Sequence, residues 1–110
     1  MTNARLNQLL NFLENSPNEP FILFAVAKEY EKHSDSPNAL KYYQELVSAH
    51  PNYTGTYYHL GKLYEQQQEV ATAFQTYKNG MAIAKKVGDQ HALSELAGAK
   101  LALGDDEDFE

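Results

Sequence analysis

The 110-residue chain contains no cysteine. That excludes thiolate nucleophiles, CxxC redox pairs, thiolate zinc sites and disulfide frameworks, and it gives no sign of an oxidising compartment. Long apolar runs are also missing. The longest, Phe21 to Ala27, is bounded by Pro20 and Lys28 and falls well short of the roughly 18 residues a membrane span needs. Met1-Thr2-Asn3-Ala4-Arg5 offers no apolar signal core, so a cytoplasmic protein is expected. The 6 glycines nowhere form GxGxxG or GxxxxGK, which argues against a nucleotide-phosphate loop. A basic excess is absent as well: the net charge is -6 and the pI about 5.1, so nucleic acid is not an expected partner. Much of that charge is local. Asp105 to Glu110 holds 5 of the 15 acidic residues, which leaves a nearly neutral body.

Hydrophobic residues make up 43% of the chain and charged ones 22%, a globular balance with room for one domain. The organising feature is a repeat. Pro17-Asn18 and Pro51-Asn52 place the same turn 34 residues apart, and the same shift superposes Lys28 on Lys62, Tyr30 on Tyr64, Glu31 on Glu65, Ala39 on Ala73 and Tyr43 on Tyr77. The matches fall at helical spacings.

Each unit reads as two helices. After Pro20, which suits a first helical turn, Leu23, Val26, Ala27 and Tyr30 mark one face. Ser34-Asp35-Ser36-Pro37 then breaks the helix and caps a second, with Ala39, Leu40, Tyr43, Leu46 and Val47 on its stripe. Tyr57, Leu60, Gly61 and Tyr64 mark a helix over about 53–67, and Ala73, Phe74, Tyr77, Gly80, Met81 and Ala84 one over about 70–87. Flanking them, a helix over about 5–13 carries Leu6, Leu9, Leu10, Phe12 and Leu13, and one over about 90–103 has Leu93, Leu96, Ala97 and Leu101 on one side.

These residues resemble the tetratricopeptide repeat (TPR) family, whose 34-residue pattern runs W-x2-L-G-x2-Y, A-x3-F, P. Tyr57-x2-Leu60-Gly61-x2-Tyr64 and Ala73-x3-Tyr77 match it in the second unit. Leu23-x2-Val26-Ala27-x2-Tyr30, Ala39-x3-Tyr43 and Pro51 match it in the first. Lys85 stands where the closing Pro would fall. The resemblance covers about 17–87 and implies an all-α fold of antiparallel helical hairpins stacked in a short right-handed solenoid of about six helices. The expected layout is one domain over 1–104: a flanking helix in 1–16, repeats at 20–53 and 54–87, and a capping helix in 88–104. Gly61 is expected where its helix crosses the one containing Ala73, because a small residue lets helices approach.

Chemistry is sparse. Glu29 with His33 and His91 with Glu95, each one helical turn apart, read as surface ion pairs rather than metal ligands. No serine lies in a nucleophile-elbow context. The chain is therefore expected to be neither an enzyme nor a binder of metals or cofactors. What remains is a surface. A rotation of 100° per residue puts Phe21, Ala25, Lys28 and Lys32 opposite the buried stripe of the first unit, and Gly55, His59, Lys62 and Gln66 opposite that of the second. Phe24 and Tyr58 border this face and Glu31 and Glu65 its other edge. The resemblance implies that such first-helix faces line a concave, peptide-holding groove. Phe21, Phe24, Lys28, Lys32, Tyr58, His59, Lys62 and Gln66 are thus the candidate ligand residues. The plainer alternative has the aromatics packing on neighbouring helices and the Lys-Glu pairs solvated. The carboxylate clamp of some TPR cochaperones is not present, since Phe24, Lys28, His59, Asp89 and Leu93 stand at its positions.

The function expected is a non-enzymatic adaptor or scaffold for a protein or peptide, with no nucleic acid and no membrane as partner. The alternative is a structural homo-oligomer contacting through its end helices. Residues 105–110 read as a disordered, solubilising tail. A sharper version has Phe109 and its carboxylates entering the lysine-bearing groove of a neighbouring molecule to give a weak homodimer.

Overall fold

A computed structural model describes residues 3–109. Among them are six α-helices and no strand: α1 (Ala4–Asn15), α2 (Pro20–Lys32), α3 (Ser36–Ala49), α4 (Gly55–Gln66), α5 (Val70–Val87) and α6 (Gln90–Leu103), followed by a 3-10 helix over Asp106–Phe109. The all-α fold of sequential hairpins is as expected. No described helix is long and apolar enough to cross a membrane. The chain divides into two compact units, Met1–His50 and Pro51–Glu110, where the sequence suggests one domain over 1–104. The division falls at the second Pro-Asn turn.

Helix ends follow from the local sequence. Asn3, Asp35 and Asp89 cap α1, α3 and α6, their side chains accepting the N–H of Leu6, Asn38 and Ala92 at 3.1, 3.3 and 3.0 Å. Such a bond satisfies one of the orphan donors of a first turn. Pro20 opens α2, where its missing N–H costs nothing. The α2–α3 and α4–α5 turns are copies of each other. Ser34 and Gln68, 34 residues apart, both take a left-handed backbone with φ 60° and 62°. The next N–H, of Asp35 and of Glu69, returns to the carbonyl of Tyr30 and of Tyr64, 2.9 Å in each case. This closes a Schellman-type C-cap. Gly88, at φ 77°, ends α5 in the conformation that glycine adopts at least cost.

In the first unit α2 packs against α1 and α3, and Leu9, Leu23, Val26, Ala27, Ala39, Tyr43 and Leu46 are buried. The centre of the stripe read from the sequence is therefore the core, while Tyr30, Leu40 and Val47 are half-buried and Phe12 of α1 is exposed. Glu29 departs in the other direction and is only 7% exposed. Its carboxylate is held by Arg5 of α1 at 3.4 Å and by His33 at 3.3 Å, so the expected Glu29–His33 pair exists but is partly buried. A carboxylate tolerates such a position only when a charged partner such as Arg5 and hydrogen-bonding groups replace its water.

The second unit packs α5 against both α4 and α6. Two glycines set its spacing. A Cβ on Gly61 would lie 2.6 Å from Tyr77 Cζ, and one on Gly80 would lie 2.8 Å from Tyr57 Cγ and 2.9 Å from Leu96 Cδ1. Gly61 does sit at the α4–α5 crossing, with Tyr77 as its neighbour. On α6 the buried residues are Ala92, Leu96 and Ala99. Leu101, expected on the apolar side, is 70% exposed, because it lies five residues after Leu96 and so faces away from it.

Gly61→Leu should lower stability by about 1–3 kcal/mol or more, since the Tyr77 ring fills the space a side chain would need. An unchanged melting temperature would show that this crossing is not tightly packed.

Candidate functional site

Within each unit the same constellation appears, built on residues 34 apart. In the first, the buried Tyr43 of α3 donates its hydroxyl to Glu31 Oε1 of α2 at 2.7 Å. Its ring meets Phe24 edge-on, centroids 6.1 Å apart, and Lys28 lies over the Phe24 ring at 5.7 Å. In the second, Tyr77 of α5 donates to Glu65 of α4 and its ring lies 6.4 Å from that of Tyr58. Lys62 sits 5.5 Å over Tyr58 and 3.7 Å from Glu65 Oε2. His59 adds an edge contact to Tyr58 at 5.7 Å.

The candidate residues are thus partly packing and partly surface. Phe24 and Tyr58 are half-buried because each leans on the tyrosine of its partner helix. Lys28 and Lys62 lie one helical turn further on, where ammonium and ring attract each other. Phe21, at 64% exposure, and Lys32 and Gln66 face outward. Glu31 and Glu65, which mark the far edge of the face in the sequence reading, are acceptors for core tyrosines. The structure therefore pairs Phe24 with Lys28 and Tyr58 with both His59 and Lys62. Chemically these faces offer aromatic area and positive charge. Among the described residues no group of three or more His, Asp or Glu could hold a metal ion.

Two features escaped the sequence reading. Arg5 and Glu29 form an ion pair between α1 and α2, with partners too far apart in sequence for helical spacing to reveal. The second is the acidic tail. Expected to be disordered over 105–110, it instead forms a 3-10 helix over Asp106–Phe109, while Glu110 lies outside the described residues. Its partners are on its own α5 and α6: Phe109 rests on Phe74, centroids 4.1 Å apart, and Asp106 pairs with Lys100 at 3.0 Å. They are not the Lys28, Lys32, Lys62, Phe24 and Tyr58 of the expected groove. The sequence signal was Phe109 itself, an aromatic among carboxylates just after Gly104.

Titration behaviour follows the packing. Burial first, then the hydrogen bond to Glu31 and its charge, push the Tyr43 phenol well above its ordinary 10.0. Burial, the Glu65 bond and its charge do the same for Tyr77. Asp89 is held below the usual carboxylate range by the Thr54 hydroxyl, which donates at 2.6 Å, and by the Ala92 N–H.

A phenol that stays protonated in the folded chain but ionises near pH 10 when unfolded contributes stability that is complete below pH 10 and declines above it, by about 1.4 kcal/mol per pH unit for each group. Replacing Tyr43 and Tyr77 by Phe should therefore cost about 1.5–3 kcal/mol per site at pH 7. It should also flatten the fall in denaturation midpoint between pH 10 and 12, and an unchanged alkaline slope would show that the two phenols ionise freely.

Several solved structures resemble this chain. A crystal structure of a tetratricopeptide repeat domain protein from Salinibacter ruber is 44% identical, covers 84% of this chain and 99% of its own, and superposes with a TM-score of 0.75. A solution NMR structure of a tetratricopeptide repeat domain protein from the same organism is 46% identical over 79% of this chain and 88% of its own, with a TM-score of 0.76. The solution structure of a Bordetella parapertussis protein is 26% identical over 93% and 89%, with a TM-score of 0.79. No protein-family model and no curated protein matches the chain. The duplicated 34-residue hairpins and the identity over nearly all of the Salinibacter domain lead to one conclusion: the chain belongs to the tetratricopeptide repeat family.

Proposed function

We propose that this chain is a non-enzymatic cytoplasmic adaptor or scaffold that holds a protein or peptide segment on the first-helix faces of its two repeats, taken as 20–53 and 54–87. Its family membership makes it a protein-interaction module in general terms. The observation that carries the finer reading is the duplicated aromatic–lysine pair, Phe24 with Lys28 and Tyr58 with Lys62. Packing against a core tyrosine fixes each ring, so contact with a ligand costs little side-chain entropy, and each lysine suits a carboxylate on the ligand. So few anchors support at best about micromolar affinity for one short segment, weakened by salt. The test compares proteins captured from the native cell by the wild-type chain and by a Lys28→Glu/Lys62→Glu variant of equal helix content. Loss of the captured partners is expected, and undiminished capture would overturn the reading.

A second reading, a homo-oligomer built through the end helices, is favoured by the 60% exposure of Phe12 on α1 and the 70% exposure of Leu101 on α6. Exposed apolar residues on terminal helices are what self-association would cover. Light scattering on a size-exclusion column decides it: a stable dimer at micromolar concentration supports this reading and a monomer removes it.

A further inference from the structure

The acidic tail occupies a surface with the makings of a binding site. Phe74 of α5 is buried at its base, with the Lys100 ammonium 4.7 Å above its ring. Ala71, Gln75 and Lys78 lie beside it, and together with Phe74, Asp106 and Phe109 they line an open concavity at the edge of the contact. Phe109 stacks at a tilt on Phe74 while Asp106 meets Lys100. Ring and carboxylate thus engage ring and ammonium in one place. The hydrogen bond and charge of Lys100, with a smaller contribution from the field of Lys78, hold the Asp106 carboxyl below the usual range.

The occupant is preformed by its own turn. The Asp105 N–H donates to Asp108 Oδ2 at 2.8 Å and the Asp108 N–H to the Asp105 carbonyl at 3.0 Å, which leaves Asp106 and Phe109 to face the body. Gly104 permits the return at φ 144°, where a Cβ would lie 2.7 Å from Asp108 Oδ2. None of the contacts in the seat depends on the tether: another chain offering a carboxylate and a phenylalanine three residues later presents the same groups.

We propose that the Phe74–Lys78–Lys100 surface is a binding site for acidic protein segments of the form Asp-x-x-Phe, and that the tail of the chain is its built-in occupant and competitor. This site is carried by α5 and α6 and is independent of the first-helix faces. Tethering through so short a link gives the tail an effective concentration on the order of millimolar, so an outside segment binds weakly until the tail is released.

The probe is a synthetic peptide, Gly-Asp-Asp-Glu-Asp-Phe, titrated at low salt into the full chain and into full-length Phe109→Ala and Gly104→Ala variants, with amide chemical shifts as the readout. Circular dichroism verifies equal helix content, and either variant alone suffices. Binding roughly tenfold tighter to the variants than to the wild-type chain, with shifts centred on Phe74, Lys78 and Lys100 and lost in a further Lys100→Glu substitution, is the expected result. Equal affinity for all three proteins, shifts centred on α4, undiminished binding of a peptide with Ala for Phe, or no binding to a folded variant would each overturn the proposal.

Discussion

A tyrosine ring buried between two antiparallel helices, its hydroxyl delivered to a carboxylate on the first of them, is the constraint on which the rest of each repeat depends. Tyr43 and Tyr77 are fully buried, so each phenol needs an acceptor, and Glu31 and Glu65 supply it from α2 and α4. The ring also needs room. On α4 the room comes from Gly61, whose missing side chain is the space the Tyr77 ring occupies. The other side of each ring is met by Phe24 or Tyr58, and those aromatics in turn carry Lys28 and Lys62. The outward-facing candidate site is thus the last link of a chain of contacts that starts in the core. A change at either tyrosine would disturb the lysines without touching them.

The two repeats keep this arrangement while exchanging volume elsewhere. In the first, Leu23 and Leu46 are both buried; 34 residues on stand Tyr57 and Gly80. A large ring has been accommodated by removing a side chain, since Gly80 lies directly against Tyr57. The Tyr57 hydroxyl then needs a partner and reaches the Pro51 carbonyl at 2.6 Å. Close-packed interiors permit such exchanges when total volume is kept and the incoming polar atom finds a partner. Tyr30 stacks on Tyr42 at 5.7 Å in the first repeat. The matching positions in the second are Tyr64 and Thr76, and the Thr76 hydroxyl turns back to the Thr72 carbonyl at 2.8 Å. The period survives because the Tyr-Glu bond and the left-handed turns at Ser34 and Gln68 are the parts that cannot be exchanged piecemeal.

That division explains what the sequence disclosed. Helix order, turns and buried stripes were legible because local rules decide them: a Pro at a first turn, an Asp at a cap, apolar residues every three or four positions. The bounds of α5 and α6 follow directly. Glu29 was misplaced as a surface residue because its burial depends on Arg5, which belongs to another helix and is remote in sequence. Leu101 was misplaced because α6 is apolar nearly all round, so its stripe does not stand out. Of the candidate site, the placing of Lys28 and Lys62 on one face with Phe24 and Tyr58 at its border followed from helical spacing, whereas the aromatic–lysine contacts and the role of Glu31 and Glu65 as core acceptors did not. Nothing on α2 or α4 alone says that a phenol on the next helix points at them.

The tail was misread for a related reason: its composition was judged without its destination. Four carboxylates at Asp105–Asp108 repel one another and disfavour order on any neutral surface. Ordering each residue costs on the order of 1 kcal/mol of backbone entropy. An ion pair as open to solvent on its acidic side as Asp106–Lys100 is strongly screened, so charge alone could not hold the segment. The ring contact with Phe74 makes the difference, because it covers an aromatic on each side and places a cation on the same face. The two kinds of group therefore do different work. Phe109 supplies the hold, while the carboxylates decide where it applies, since the ring of Phe74 has Lys100 over it and Lys78 close by. The segment is thus ordered by one ring contact and one ion pair rather than by an apolar core of its own.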